Sequence, residues 1–175
     1  MRKLLNSELN RLNPEEFKKA EKIPVIIVLD NIRSQHNVGS VFRTSDAFPV
    51  EAIWLCGITA TPPNPEIHKS ALGAEFTVNW KYIPNSVDAI YELKKSGYII
   101  VSVEQAENAI DIINFQVDKK NKYAIVFGNE VKGIDQKIVD MSDYCLEISQ
   151  FGTKHSLNIS VAAGIVIWEF FKQLA

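Results

Sequence analysis

Residues 123–135 read Tyr-Ala-Ile-Val-Phe-Gly-Asn-Glu-Val-Lys-Gly-Ile-Asp. The run Tyr123–Phe127 is apolar at every position, whereas a strand with one wet face alternates. Such a run belongs to a strand covered on both faces. It ends on Gly128 and a polar loop. A glycine there permits close backbone approach, and open α/β sheets bind ligands at the carboxyl ends of their strands. Four more short runs share this character: Val25–Leu29, Ala52–Cys56, Tyr98–Val103 and Tyr144–Ile148. Between them lie helical patterns, Ser40–Phe48 and Val87–Ser96, the second stopped by Gly97 as a C′ glycine. The alternation predicts an α/β fold, a mostly parallel sheet flanked by helices.

Composition sets the limits of that reading. A chain of 175 residues has the length of one domain. With 46% hydrophobic and 23% charged residues it is ordinary globular protein, not disordered, collagenous or coiled coil. Nineteen basic against 21 acidic side chains leave a net charge of −2, so any polyanion must be held by local patches. Cys56 and Cys145 lie in apolar runs without C-x-x-C spacing and read as free core thiols of a reducing compartment. The stretch Val161–Trp168 is too short to cross a bilayer, and the first thirteen residues hold no signal-peptide core. His36, His68 and His155 stand apart, so no metal site is expected. The expectation is a cytoplasmic protein with no membrane partner.

The two ends differ. Asn13-Pro14-Glu15-Glu16 joins an N-cap, a proline at N1 and a glutamate at N3, so a helix begins there. Residues 1–22 read as an N-terminal helical arm with six basic and four acidic side chains, Arg11 among them, and residues 23–175 as the main domain. Ser156–Leu174 reads as one helix, with Glu169 its only charge from Leu157 to Phe171. A helix apolar all round is buried on all sides; in a chain this small, that predicts a second copy covering part of it.

Candidate chemistry lies between the strands. Asn31–Ser45 has no acid but holds Arg33, His36 and Arg43, a composition suited to a phosphate or ribose. It is equally a plain connection in which Asn37 caps the next helix and Arg43 pairs with Asp46. Gly128 and Gly133 make no Walker A loop, since Ile134 follows, and no G-x-G-x-x-G occurs in the chain. Glu130 between them is a ligand or a surface acid. Further on, Ser156 is a candidate N-cap, while Asn158 puts an amide in a buried first turn, where it needs partners. His68 and Lys69 precede a turn of small residues.

Taken together, these segments resemble the SpoU/TrmH family of RNA 2′-O-methyltransferases in the SPOUT superfamily. Asn37-Val38-Gly39-Ser40 with Arg43 is similar to the first family motif, Phe127-Gly128-Asn129-Glu130 with Gly133 to the second, and Ser156-Leu157-Asn158 with Ser160 to the third. His68-Lys69-Ser70-Ala71-Leu72-Gly73-Ala74-Glu75 is similar to a further stretch, and the likeness covers residues 23–172. The resemblance implies a SPOUT-type α/β knot, with a C-terminal deep trefoil knot that binds S-adenosyl-L-methionine, and an obligate homodimer with sites built across the interface. It implies methylation of a ribose 2′-hydroxyl in structured RNA, tRNA ahead of rRNA. The alternative is a non-catalytic RNA-binding relative acting in ribosome or tRNA maturation.

By the same resemblance Arg43 acts on the hydroxyl, Asn37 holds Arg43 or the ribose phosphate, and Glu130 orders the motif loop. Ser156 and Asn158 position the arginine and the target nucleotide. Cofactor contacts fall on Val103, Glu104, Gly128, Asn129, Ile148, Ser156 and Leu157, and RNA contacts on Arg11, Arg33, His36, Arg43, His68 and Lys69. The expectation is a fold with neither a separate N-terminal RNA-binding domain nor a long extension after the third motif. Substrate selection is therefore expected from the arm, the Arg33–Arg43 loop and the His68–Lys69 patch.

Overall fold

The computed structural model describes the backbone of residues 1–175. In β1 (Ile23–Asp30), Val25, Ile27 and Leu29 enter one buried cluster while Ile26 and Val28 enter another. Successive strand side chains point to opposite faces, and both faces are covered. The remaining strands are β2 (Val50–Cys56), β3 (Trp80–Ile83), β4 (Tyr98–Val103), β5 (Ile110–Asp111), β6 (Lys122–Phe127) and β7 (Tyr144–Glu147). All pair in parallel, in the order β3-β2-β1-β6-β4-β7-β5.

One face packs against α2 (Gln35–Ala47), α3 (Pro65–Ala71) and α6 (Ile159–Leu174) through Val38, Val41, Phe42, Ile67, Val166 and Phe170. The other packs against α4 (Ser86–Lys95) and α5 (Gln136–Met141) through Ala89, Ile90, Leu93 and Ile138. Gly39 sets how closely α2 meets α3, since a Cβ there would stand 2.3 Å from the Ile67 carbonyl oxygen. In the first 22 residues α1 (Pro14–Lys19) carries the expected capping box between Asn13 and Glu16, and a single 3-10 turn occupies Asn6–Glu8.

Several expectations need correction. The edge strands β3 and β5 carry no long apolar run, because an edge needs less cover. Helix α2 starts five residues earlier than its apolar pattern, at Gln35, with Ser34 as its N-cap. Asn37 is therefore inside the first turn and caps nothing. The last helix starts at Ile159 with Asn158 as its cap, and Ser156 lies in the exposed stretch before it. Within one chain that helix is buried on one side only. Ile159, Ala163, Val166, Ile167 and Phe170 are buried, but Val161, Ile165 and Trp168 form an exposed apolar stripe on the other side.

Cys56 is a core thiol, which burial and then Asp30 push up to about 12. Cys145 is only half-buried. Among the described residues no helix is long and apolar enough to cross a membrane.

Candidate functional site

The site grows from the turn that ends β1. Asn31 adopts φ 57°, a left-handed conformation that asparagine tolerates better than most residues. Its carbonyl oxygen accepts a 2.7 Å hydrogen bond from Asn129 Nδ2, and its Oδ1 accepts one from the Ile58 N–H at 3.1 Å. Beyond the turn, the N–H groups of Arg33 and Ser34 each donate to the Glu130 carboxylate at 2.9 Å. Asn37 Nδ2 donates to the same carboxylate at 3.0 Å. Asn158 Nδ2 then donates to Asn37 Oδ1 at 3.2 Å, while Asn158 Oδ1 accepts from the Ser160 N–H at 2.8 Å. Side chains of three separate segments thus form one continuous hydrogen-bonded chain.

Burial pushes the Glu130 carboxyl up, but the N–H groups of Arg33 and Ser34, with the Asn37 amide, outweigh it and hold it below the usual value. A depressed folded value means that the stabilisation is present above the unfolded pKa, about 4.3, and is lost only as pH falls through the lower folded value. The Asn37 side-chain amide signals in an NMR titration should therefore stay in place at about pH 4.3 and move at lower pH. A midpoint above that pH would contradict the arrangement.

Beside this network lies a cleft of about 1060 Å³. Val103, Glu104, Gly128, Asn129, Ile148, Ser156 and Leu157 all line it, with Glu130 and Asn158. Its loop is closed by paired bonds between Asn129 and Gly133, N–H to O distances 3.1 and 2.9 Å. Glu104 braces it, accepting from the Ile134 N–H at 3.1 Å. Glu104, Glu107, Glu130, Asp140 and Glu147 face the cleft against Lys132 alone among lysines and arginines. It is therefore apolar in part and acidic in balance.

The SpoU rRNA Methylase family model matches residues 24–168. The chain belongs to the SpoU rRNA Methylase family. A Staphylococcus aureus protein assigned to the TrmH family of tRNA/rRNA methyltransferases is 31% identical over 159 residues, 91% of this chain and 63% of that relative. The chain thus spans less than two thirds of the length of such curated relatives. Among solved structures, the AdoMet-bound rRNA methyltransferase of Sinorhizobium meliloti superposes with TM-score 0.81 at 25% identity, covering 91% of this chain and 60% of that one. The A. aeolicus TrmH/SpoU tRNA modifying enzyme gives TM-score 0.80 at 25% identity, covering 91% and 81%.

In this SpoU-family chain the other singled-out residues lie apart from the cleft. Arg43 is exposed on α2, lines no part of the cleft, and makes no ion pair among the described residues. Asp46, its suggested partner, accepts instead from Thr77 Oγ1 at 2.6 Å. The Asn37 amide is engaged by Glu130 and Asn158, not by Arg43. His36 Nε2 lies 3.2 Å from Glu66, and Lys69 Nζ lies 2.6 Å from the same residue. His68 bonds to the buried Glu75. Arg11 is exposed in the arm, and Arg33 is exposed beside Glu130. Sequence reasoning missed Asn31; an asparagine directly after a buried strand was the available signal, since it tolerates the left-handed turn.

Proposed function

We propose that this SpoU-family chain methylates a ribose 2′-hydroxyl in structured RNA, tRNA ahead of rRNA, with S-adenosyl-L-methionine as donor. The observation that carries this reading is that all seven candidate cofactor residues line one cleft, next to the Glu130–Asn37–Asn158 chain. The cleft fits the cofactor chemically. Val103, Ile148 and Leu157 would supply apolar contact for it, and the acid excess suits a ligand carrying a sulfonium and an ammonium. When bound, the cofactor supplies a methyl group already activated by its positive sulfur.

What the chain must add is a positioned nucleophile, because a ribose hydroxyl is hardly ionised at neutral pH. Glu130, Asn37 and Asn158 hold the motif loops in one geometry. Arg43 addresses the hydroxyl; an arginine stays protonated in proteins, so, held by an RNA phosphate, it polarises the 2′ oxygen while the proton passes to water as the methyl is transferred.

Because Arg43 lies outside the cleft of its own chain, we place it at the cleft of a second copy in a homodimer. The exposed stripe Val161, Ile165 and Trp168 on α6 supports such a pairing. We also infer the C-terminal knot. The segment 104–121 leaves β4, pairs as β5 at the sheet edge beyond β7, and returns to β6. Helix α6 packs on that returning segment through Gln173, which bonds to Val117 and Phe115.

The test uses labelled cofactor and RNA from cells lacking the gene, digested to nucleosides. Label is expected in 2′-O-methyl nucleosides. Label in base-methylated nucleosides would overturn the ribose assignment, and RNA binding without cofactor affinity in calorimetry would favour a non-catalytic relative.

A further inference from the structure

A second cleft, of about 910 Å³, shares residues 131–134 with the cofactor cleft as a common wall. Neither Asn37, Arg43, Glu130 nor Asn158 lines it, so it stands apart from the reacting ribose. We propose that this cleft seats one nucleotide of the RNA substrate other than the one methylated, its phosphate on Arg33 and Lys132 and its base amino group on Asp30. The inference deepens the RNA reading above and rests on it.

The chemistry of the lining selects that occupant. Arg33 and Lys132 both line the cleft, and among the described residues neither makes an ion pair. The lining also holds Asp30 and Asp135; Asp135 is engaged by the Lys137 N–H at 2.9 Å as the cap of α5, which leaves Arg33 and Lys132 to meet an anion.

Asp30 is the second observation. Its residue is 2% exposed, yet it lines the cleft. Its Oδ1 accepts from Asn31 Nδ2 at 2.7 Å and from Ser86 Oγ. Among the described residues no donor reaches Oδ2, an acceptor open to the cleft. An anion alone would be repelled by it; a group that is anionic at one end and donates hydrogen bonds at the other would not.

The walls complete the match. Ile58 is 67% exposed and Val131 74% exposed, and both line the cleft, leaving aliphatic surface for the flat face of a base. A nucleotide brings phosphate, apolar face and exocyclic amine together, and adenine, cytosine and guanine all carry that amine.

The experiment uses the full chain saturated with S-adenosylhomocysteine, so that the cofactor cleft is filled, and reads binding of AMP, CMP and UMP by saturation-transfer NMR. AMP and CMP are expected to bind in the millimolar range, with UMP, which lacks the amine, several-fold weaker. Arg33→Ala combined with Lys132→Ala, and separately Ile58→Asp, should each weaken AMP at least about tenfold. Calorimetry should show S-adenosylhomocysteine affinity unchanged within about twofold in Ile58→Asp, because Ile58 lines no part of the cofactor cleft.

The proposal is overturned if UMP binds as well as CMP, if inorganic phosphate alone competes as well as AMP, or if the variants bind AMP like the parent. Loss of S-adenosylhomocysteine binding with nucleotide binding retained would sink the methyltransferase reading and leave this site standing. Cofactor binding without nucleotide binding would sink this site alone.

Discussion

Replacing Arg43 with alanine is expected to lower methyl transfer by about 10³-fold while leaving cofactor affinity within about twofold. The structure allows the two effects to separate. Arg43 is exposed on α2 and holds no carboxylate, so its removal breaks no ion pair, and alanine is the best helix former. The stability change should stay within about 0.5 kcal/mol, the usual range of a surface substitution. Arg43 lines no part of the cofactor cleft either, so calorimetry with S-adenosyl-L-methionine should not register the change. Only the step that needs a charge beside the 2′-hydroxyl should suffer. Arg43→Lys keeps the charge but loses the planar fork that matches a phosphate, and should recover only a minor part of the rate. A loss below about tenfold in Arg43→Ala would remove this residue from the chemistry.

The fold was legible in the sequence where both faces of a strand are buried. Tyr123–Phe127 and Val25–Leu29 show it plainly, since no polar residue can stand at either face. It was illegible at the rims. In β3 the run Trp80-Lys81-Tyr82-Ile83 mixes polar and apolar residues, and Lys81 lies 3.5 Å over the Trp54 ring, a contact that no periodicity reveals. The start of α2 was hidden because its first turn, Gln35-His36-Asn37, is polar although helical.

The site divides the same way. Motif residues could be named singly, but their mutual bonds could not, because Glu130 lies 93 residues from Asn37 and Asn158 lies 121 residues from it. Local engagements were within reach. Lys69 with Glu66 is an i,i+3 pair and His68 faces Glu75 across one turn, so the patch reads as internally bonded before it reads as an RNA contact.

Gly128→Ala should cost roughly 100-fold in cofactor affinity, about 2.7 kcal/mol, with the sheet intact. The methyl group has nowhere to go. A Cβ on Gly128 would lie 2.3 Å from the Ile134 nitrogen and 2.4 Å from the Gly133 carbonyl carbon. These are backbone atoms, so no side chain can rotate aside. The loop must move instead, and it is held by the Asn129–Gly133 bonds and by the Ile134 N–H on Glu104. Moving it pulls Asn129 and Gly133 away from the cleft, while the core strand β6 beneath, Tyr123 to Phe127, keeps its cover. Circular dichroism should therefore remain that of the parent while calorimetry shows the loss. The same variant tests the shared site. Mixing Gly128→Ala with Arg43→Ala chains gives dimers in which one intact cleft faces one intact arginine, provided that the arginine serves the other subunit. Random mixing should then restore about a quarter of the parental rate from two nearly inactive proteins. If Arg43 serves its own cleft, every mixed dimer lacks one component at each site, and the mixture stays as inactive as its parts.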